Sequence, residues 1–314
     1  DNSVPGTIAF TAPVLVNNVI AIRGSINVAD FNLEDKRDLA WRSNGTSDIK
    51  IRLNTNSGGA ISSTDFDFST EIILQSSLTA TEGELSLADV NGDGFLDIYV
   101  CNSGNIKGDN KQNELYINNG IFSSPSDEAK RHITFTEKAY EYGLDDRGLS
   151  THAAFFDYDH DDDLDMFLLN NSFKAIGSFN LKENERTKRD SLGGHKFFRN
   201  DAGHFTDISE QAGIYGSVIG FGLGVTVGDV NADGWQDIYV SNDFFERDYL
   251  YINNHNGTFK ECLEEQMMST SNASMGADMA DINNDGRQDI FVTEMLPEED
   301  ARIKTNLTYE TWNK

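Results

Sequence analysis

Asp89-Val90-Asn91-Gly92-Asp93-Gly94-Phe95-Leu96-Asp97 is the stretch on which the reading of this 314-residue chain turns. Its pattern is D-x-N-x-D-G-x-x-D, with oxygen-bearing side chains at positions 1, 3, 5 and 9. The pattern returns at Asp229, Asn231, Asp233, Gly234, Trp235 and Asp237, and again at Asp281, Asn283, Asp285, Gly286, Arg287 and Asp289. An all-aspartate form runs through Asp157, Asp159, Asp161, Asp162, Asp163 and Asp165, and a worn form through Asp30, Asn32, Glu34, Asp35 and Asp38. Four such oxygens, with a backbone carbonyl at position 7 (that of Phe95, Trp235 or Arg287), can wrap one hard cation. Calcium is the expected ion, because it accepts six to eight oxygens in flexible geometry where magnesium demands an octahedron. Position 6 calls for a left-handed backbone, which glycine adopts freely and which Asp35 and Asp162 tolerate.

Asp, Asn and Gly are also ordinary turn residues, so a single loop of this kind could be only an acidic turn. Five in phase argue for metal. An EF-hand opens the same way but needs an acidic residue at position 12 and flanking helices. Here position 12 is Trp41, Val100, Leu168, Val240 and Val292 in turn. Each loop except the worn one leads into a short β-branched or aromatic run, as in Ile98-Tyr99-Val100-Cys101 and Ile290-Phe291-Val292-Thr293. Such runs read as strands.

The loops begin 59, 68, 72 and 52 residues apart. A phenylalanine after a turn-like stretch keeps phase with them: Phe10, Phe66 or Phe68, Phe135, Phe205 and Phe259. Between loop and phenylalanine lies another strand-like run, as in Glu114-Leu-Tyr-Ile-Asn-Asn119 and Asp248-Tyr-Leu-Tyr-Ile-Asn-Asn254, and Asn256-Gly257-Thr258 reads as a hairpin turn. Each repeat therefore offers about four short strands, the signature of propeller blades. The fold class expected is all-β, a β-propeller of four-stranded blades with a calcium loop in each. The stretches 206–214 and 260–268 are expected to make one or two helical turns. Gly220, Gly222 and Gly224 alternate along one strand face without the spacing of a nucleotide loop, which points to close packing near a propeller axis.

Composition agrees. Twenty-seven glycines against four prolines, with few long helical patterns, suit an all-β chain. The formal charge of −27 comes largely from the loops, and five calcium ions would add ten positive charges, leaving about −17. That field disfavours nucleic acid or an anionic membrane as partner. No apolar run approaches the roughly 20 residues of a membrane span. Cys101 and Cys262 are expected to be unpaired, packed thiols. Oxygen-only calcium sites fill at extracellular calcium levels, so an exported protein is expected, extracellular or at the cell surface (bacterial outer surface or periplasm), and the start at Asp1 is read as a processed or trimmed chain.

These residues resemble the FG-GAP/VCBS repeats that build integrin-α-like β-propellers, whose hallmark D-x-[ND]-x-D-G-x-x-D-[IL] stands unaltered at Asp89, Asp229 and Asp281. Residues 150–159 and 239–248 are similar to bacterial CRTAC-like proteins, which often end in an ASPIC/UnbV domain. Residues 81–314 carry the repeats, and 1–80 match as a divergent first blade. The resemblance implies calcium-stabilised, usually exported propellers with binding or adhesion roles, commonly of seven blades. Either five blades close into one domain over 1–314, or the propeller is larger and continues past Lys314; the second is the expectation.

A ligand, an extracellular protein or a glycan, should meet irregular insertions on such a scaffold. Two stand out. Residues 172–196 hold Lys174, Lys182, Arg186, Lys188 and Arg189, and Phe244, Phe245 and Arg247 are residue types that anchor interfaces. The alternative is a propeller-based polysaccharide lyase or hydrolase. Its base would come from the six histidines, with His152 and His195 best placed. No paired metal-binding histidines or serine nucleophile elbow supports it. A binding or adhesion module without catalysis is the expectation.

Overall fold

The computed structural model describes residues 22–43, 48–55, 71–74, 84–103, 112–124, 127–172, 185–243, 246–271 and 273–294. The chain forms two compact units, Asp1–Ser76 and Ser77–Lys314.

In the first unit, strands β1 (Ile22–Ala29), β2 (Asp38–Ser43), β3 (Ile49–Arg52) and β4 (Ile72–Leu74) form one antiparallel meander. Ala40, Trp41, Ile49 and Ile51 are buried, and the acidic loop at Asp30 connects β1 to β2.

The second unit repeats the same meander. Its first blade contains β5 (Leu85–Ala88), β6 (Asp97–Val100), β7 (Glu114–Ser124) and β8 (Asp127–Glu137). The second contains β9 (Ser150–Phe156), β10 (Asp165–Asn170), β11 (Lys196–Asn200) and β12 (Phe205–Asp207), and the third β13 (Gly222–Gly228), β14 (Asp237–Asn242), β15 (Tyr249–Asn253) and β16 (Phe259–Glu261). A last sheet has two described strands, β17 (Ser274–Ala280) and β18 (Asp289–Glu294). First strands pack on first strands, β5 on β9, β9 on β13 and β13 on β17, and the second and third blades are joined by the bridge between Asn171 and Phe221. This succession of four-stranded meanders is a β-propeller arrangement.

Hydrophobic cores fill the spaces between blades. Phe156, Phe167 and Phe197 meet Val225, Ile238 and Tyr251 in one, and Tyr99, Leu115 and Leu144 meet Met166, Leu168 and Phe198 in another. The runs after the acidic loops are therefore buried on both faces, which explains why they read as continuous apolar stretches. Every residue of β6, β10 and β14 is buried. In β18 the equivalent face is open, and Phe291 is 58% exposed where Phe167 is fully covered.

Several expectations meet their structures here. Gly224 lies where an added Cβ would sit 3.0 Å from the Gly276 Cα, so the alternating glycines allow first strands to approach. A helical turn, α1, forms at Ala139–Tyr142, and a second, α2, at Leu263–Gln266 within the stretch 260–268. The 206–214 stretch forms hydrogen-bonded turns without a helix, closed by Ala212 N–H donating to the Ile208 carbonyl. Cys101 and Cys262 are buried and are not joined in a disulfide. Phe10, Phe66 and Phe68 lie outside the described residues.

Candidate metal centres and the face opposite them

All five acidic loops fold alike, each between the first and second strands of its sheet. The position-1 aspartate curls the loop around itself. Asp89 accepts from the N–H groups of Asp93 and Gly94, Asp229 from Asp233 and Gly234, and Asp281 from Asp285 and Gly286, all at 2.8–3.0 Å. Position 6 is left-handed throughout: Asp35 (φ 58), Gly94 (φ 90), Asp162 (φ 71), Gly234 (φ 90) and Gly286 (φ 84). Position 4 is left-handed too, at Leu33, Gly92, His160, Ala232 and Asn284. No residue preference at position 4 announces this.

Two substitutions isolate that backbone strain. An added Cβ at Gly234 would meet nothing within 4 Å, so Gly234→Ala carries conformational strain and no clash. It is expected to cost about 1–2 kcal/mol. The reciprocal Ala232→Gly, at φ 59, is expected to be neutral or to stabilise by up to about 1 kcal/mol. Urea titrations of the two variants check both signs.

The position-9 aspartate ties the loop to the rest of its blade. One carboxylate oxygen accepts from the position-2 N–H: Phe31 to Asp38, Val90 to Asp97, Tyr158 to Asp165, Val230 to Asp237 and Ile282 to Asp289. In four sheets the other oxygen accepts an N–H at 2.8–2.9 Å from an asparagine within or just beyond the third strand, namely Asn54, Asn118, Asn200 and Asn253. Each of those asparagines returns its side-chain amide to the carbonyl at position 8, that of Arg37, Leu96, Leu164 or Gln236. Asn253 also donates 2.9 Å to the Tyr158 carbonyl in the neighbouring blade's loop. These four asparagines were not among the expected site residues. No fixed spacing from the loop marks them in the sequence.

Burial dominates the electrostatics at position 9. It pushes Asp97 and Asp165 up to about 7, and Asp38 and Asp237 up to about 6. The two backbone donors pull each group down, and neighbouring loop carboxylates push it up again. A buried carboxylate hemmed by others either holds a proton or needs a cation.

The donor chemistry fits calcium best in the all-aspartate loop. Asp157, Asp159 and Asp165 place carboxylate oxygens within 4.8 Å of one another, and one Asp159 oxygen is buried without a hydrogen-bond partner. Burial and the charges of Asp161 and Asp157 raise the Asp159 pKa. Asp163 instead accepts from the Ala202 N–H at 3.0 Å. In the loops at Asp89, Asp229 and Asp281, the asparagine amide at position 3 donates to the position-5 carboxylate. These sets are oxygen-rich and fit a hard cation. In the loop at Asp30, Asn32 donates to Glu34, and the Lys36 ammonium lies 3.0 Å from the same carboxylate. A protein cation thus already stands beside that loop.

The described members of the expected ligand set follow the ends of the second strands away from the acidic loops, and their charged groups are paired within the fold. Arg186 pairs at 2.7 Å with Glu246, whose side chain is fully buried. Lys188 pairs with Glu185, and Arg189 donates to the Ile214 carbonyl at 2.6 Å. Arg247 grips Glu261 through two guanidinium nitrogens and reaches Glu264 at 3.1 Å. Lys174, Lys182, Phe244 and Phe245 lie outside the described residues.

Of the two histidines weighed for catalysis, His152 is depressed by burial and has Glu84 3.7 Å away. His195 is 1% exposed, and its Nδ1 accepts from the Asn170 N–H. Burial pushes His195 down to about 4. In the unfolded chain the imidazole titrates near 6.5, so between 6.5 and 4 the unfolded state binds more protons. Stability from this group is complete above 6.5 and falls as pH drops towards 4, by up to about 3 kcal/mol. The difference between wild-type and His195→Gln denaturation curves across that range should show this slope.

The family model for the FG-GAP-like repeat matches residues 30–100, 89–168 and 229–292, well over half of the chain. Integrin alpha-3 of Mus musculus is 31% identical over an alignment 99 residues long that covers 27% of this chain and 9% of that protein. Among solved structures, the chain is similar to an Agrocybe aegerita lectin that recognises non-reducing terminal N-acetylglucosamine, with 18% identity and a TM-score of 0.44, over 85% of this chain and 60% of the lectin. A Bacillus licheniformis rhamnogalacturonan lyase is similar at 13% identity and a TM-score of 0.36, over 86% of this chain and 58% of the lyase. The chain thus spans less than two thirds of each of these proteins. No helix among the described residues is long and apolar enough to cross a membrane. Matched repeats that span all five acidic loops, each loop joining the first two described strands of its own sheet, make this chain a member of the FG-GAP-like repeat family.

Proposed function

We propose that this chain is an exported, calcium-binding β-propeller that acts as a binding or adhesion module for a protein or carbohydrate ligand. Calcium has a structural role here, and the narrower likeness to CRTAC-like proteins rests on residues 150–159 and 239–248. One observation carries the metal reading. Asp157, Asp159 and Asp165 converge around a buried, unpartnered carboxylate oxygen. Loops of the same make recur across the sheets, and a cation in them offsets carboxylates that the fold has taken out of water. With the acidic loops occupied by metal, ligand contacts fall to the opposite ends of the blades and to the connections between them.

Calorimetric titration of the full chain tests the metal half of this reading. Several saturable calcium sites, with magnesium unable to compete at equal concentration, are expected; heat indistinguishable from buffer dilution would sink it. Arrays of extracellular proteins and glycans test the other half, where saturable binding without product is the expected result. Turnover of an acidic polysaccharide by the pure protein would make it an enzyme instead.

A further inference from the structure

The connection from the first to the second blade of the larger unit runs through Tyr142–Leu149, and it borders a cavity of about 370 Å³. The opposite wall is formed by β11 and β12, through Lys196, Phe198 and Asp207. Ligand pockets for small molecules begin at about 300 Å³, so one sugar-sized unit fits.

The charged groups around this cavity divide into two sets. Lys196 and Asp146 form a close ion pair, both mostly buried, and largely cancel one another. The remaining groups have unused hydrogen-bonding capacity. Asp145 makes no hydrogen bond or ion pair among the described residues. Asp207 accepts from Ser209 through one oxygen only. The Arg147 guanidinium reaches only the Gln112 side chain, at 3.5 Å, the limit of a hydrogen bond. Phe198, 5% exposed, supplies an apolar wall.

A ligand for this wall must both donate and accept, because acceptors (Asp145, Asp207) stand beside a donor (Arg147). Three carboxylates against two cations, in a chain of formal charge −27, disfavour an anion. The Arg147 guanidinium, the cation left outside the Lys196–Asp146 pair, likewise penalises an amine, which would be desolvated beside it. A neutral polyol meets neither penalty. Its hydroxyls donate to the carboxylates and accept from the guanidinium, and its ring C–H face covers Phe198. We infer that this cavity is a binding site for a neutral saccharide unit, a hexose or N-acetylhexosamine. The inference rests on the binding-module reading above and narrows it to one site and one ligand class.

Ligand-observed NMR on the calcium-loaded full chain tests it, with methyl glucoside, methyl mannoside, N-acetylglucosamine and galacturonate as probes. At least one neutral sugar should bind, and galacturonate should not. Asp145→Asn with Arg147→Ala should weaken that binding at least tenfold. Neither side chain braces the fold, so the melting temperature should stay within a degree or two of wild type. Arg199→Ala, a surface change elsewhere on β11, should leave sugar binding intact. Binding undiminished in the double variant would overturn the site while leaving the module reading standing. Tighter binding of galacturonate, or no binding of any neutral probe to folded protein, would overturn the ligand class. The array results stand apart from all three outcomes.

Discussion

Withdrawing calcium with excess chelator should lower the melting temperature of the full chain on the order of 20 °C. The larger unit carries four acidic loops, at Asp89, Asp157, Asp229 and Asp281. A site held at 100 times its Kd contributes about 2.7 kcal/mol, so four filled sites contribute roughly 11 kcal/mol. In a domain of this size each kcal/mol moves the midpoint about 2 °C. Readdition of calcium should restore the transition, and magnesium should not. The metal-free protein should also respond to pH in a distinctive way. Asp97 and Asp165 are raised to about 7 in the fold, well above an unfolded aspartate. Their contribution is complete below the unfolded pKa and is lost as pH rises through about 7. In chelator, acidification from pH 8 to 6 should therefore recover part of the lost stability, and with calcium bound that recovery should be absent. An unchanged melt in chelator would mean that the loops stand without metal.

The second large effect is expected at Asp237. This side chain is fully buried and accepts from the Val230 and Asn253 N–H groups, at 3.1 and 2.9 Å. Asp237→Ala leaves both donors without a partner and opens a small void, and is expected to cost about 3–5 kcal/mol. Asp237→Asn keeps the volume and one acceptor, so in chelator it should cost clearly less than the alanine. In calcium both variants should lose about 2.7 kcal/mol more relative to wild type, because neither supplies the negative oxygen that a cation needs. Chemical denaturation of both variants, with and without calcium, gives the four numbers required. An asparagine variant that behaves alike in both conditions would exclude a metal role for position 9 in that loop.

What could be read from the chain was whatever repeats at fixed spacing. The nine-residue loops, the apolar run after each, and the left-handed position 6 all depend on neighbours a few residues apart. The expected propeller follows from them. The asparagine ties were illegible as a motif because their separation from the aspartate drifts. Asn253 lies 16 residues beyond Asp237, Asn118 21 beyond Asp97 and Asn200 35 beyond Asp165. The basic insert shows a different limit. Charge clustering in sequence suggested a ligand surface, yet the acceptors of Arg186 and Arg189 lie 60 and 25 residues away, at Glu246 and Ile214. The cavity bordered by Asp145 and Arg147 leaves no sequence mark, since its walls come from the connection before one blade and the outer strands of that blade.

The drifting separation has an evolutionary reading of its own. The asparagine tie closes a loop containing the second strand, the connection after it and the third strand. Lengthening that closed segment from 16 to 35 residues costs only about 0.7 kcal/mol of closure entropy, because the penalty grows with the logarithm of length. The acidic loop tolerates no such growth, since nine consecutive positions define it. Each described four-stranded sheet therefore has one end of the same length in every repeat and one that is open to insertion, on opposite ends of the same strand. Insertions between the second and third strands can therefore vary while the acidic loop keeps its nine positions.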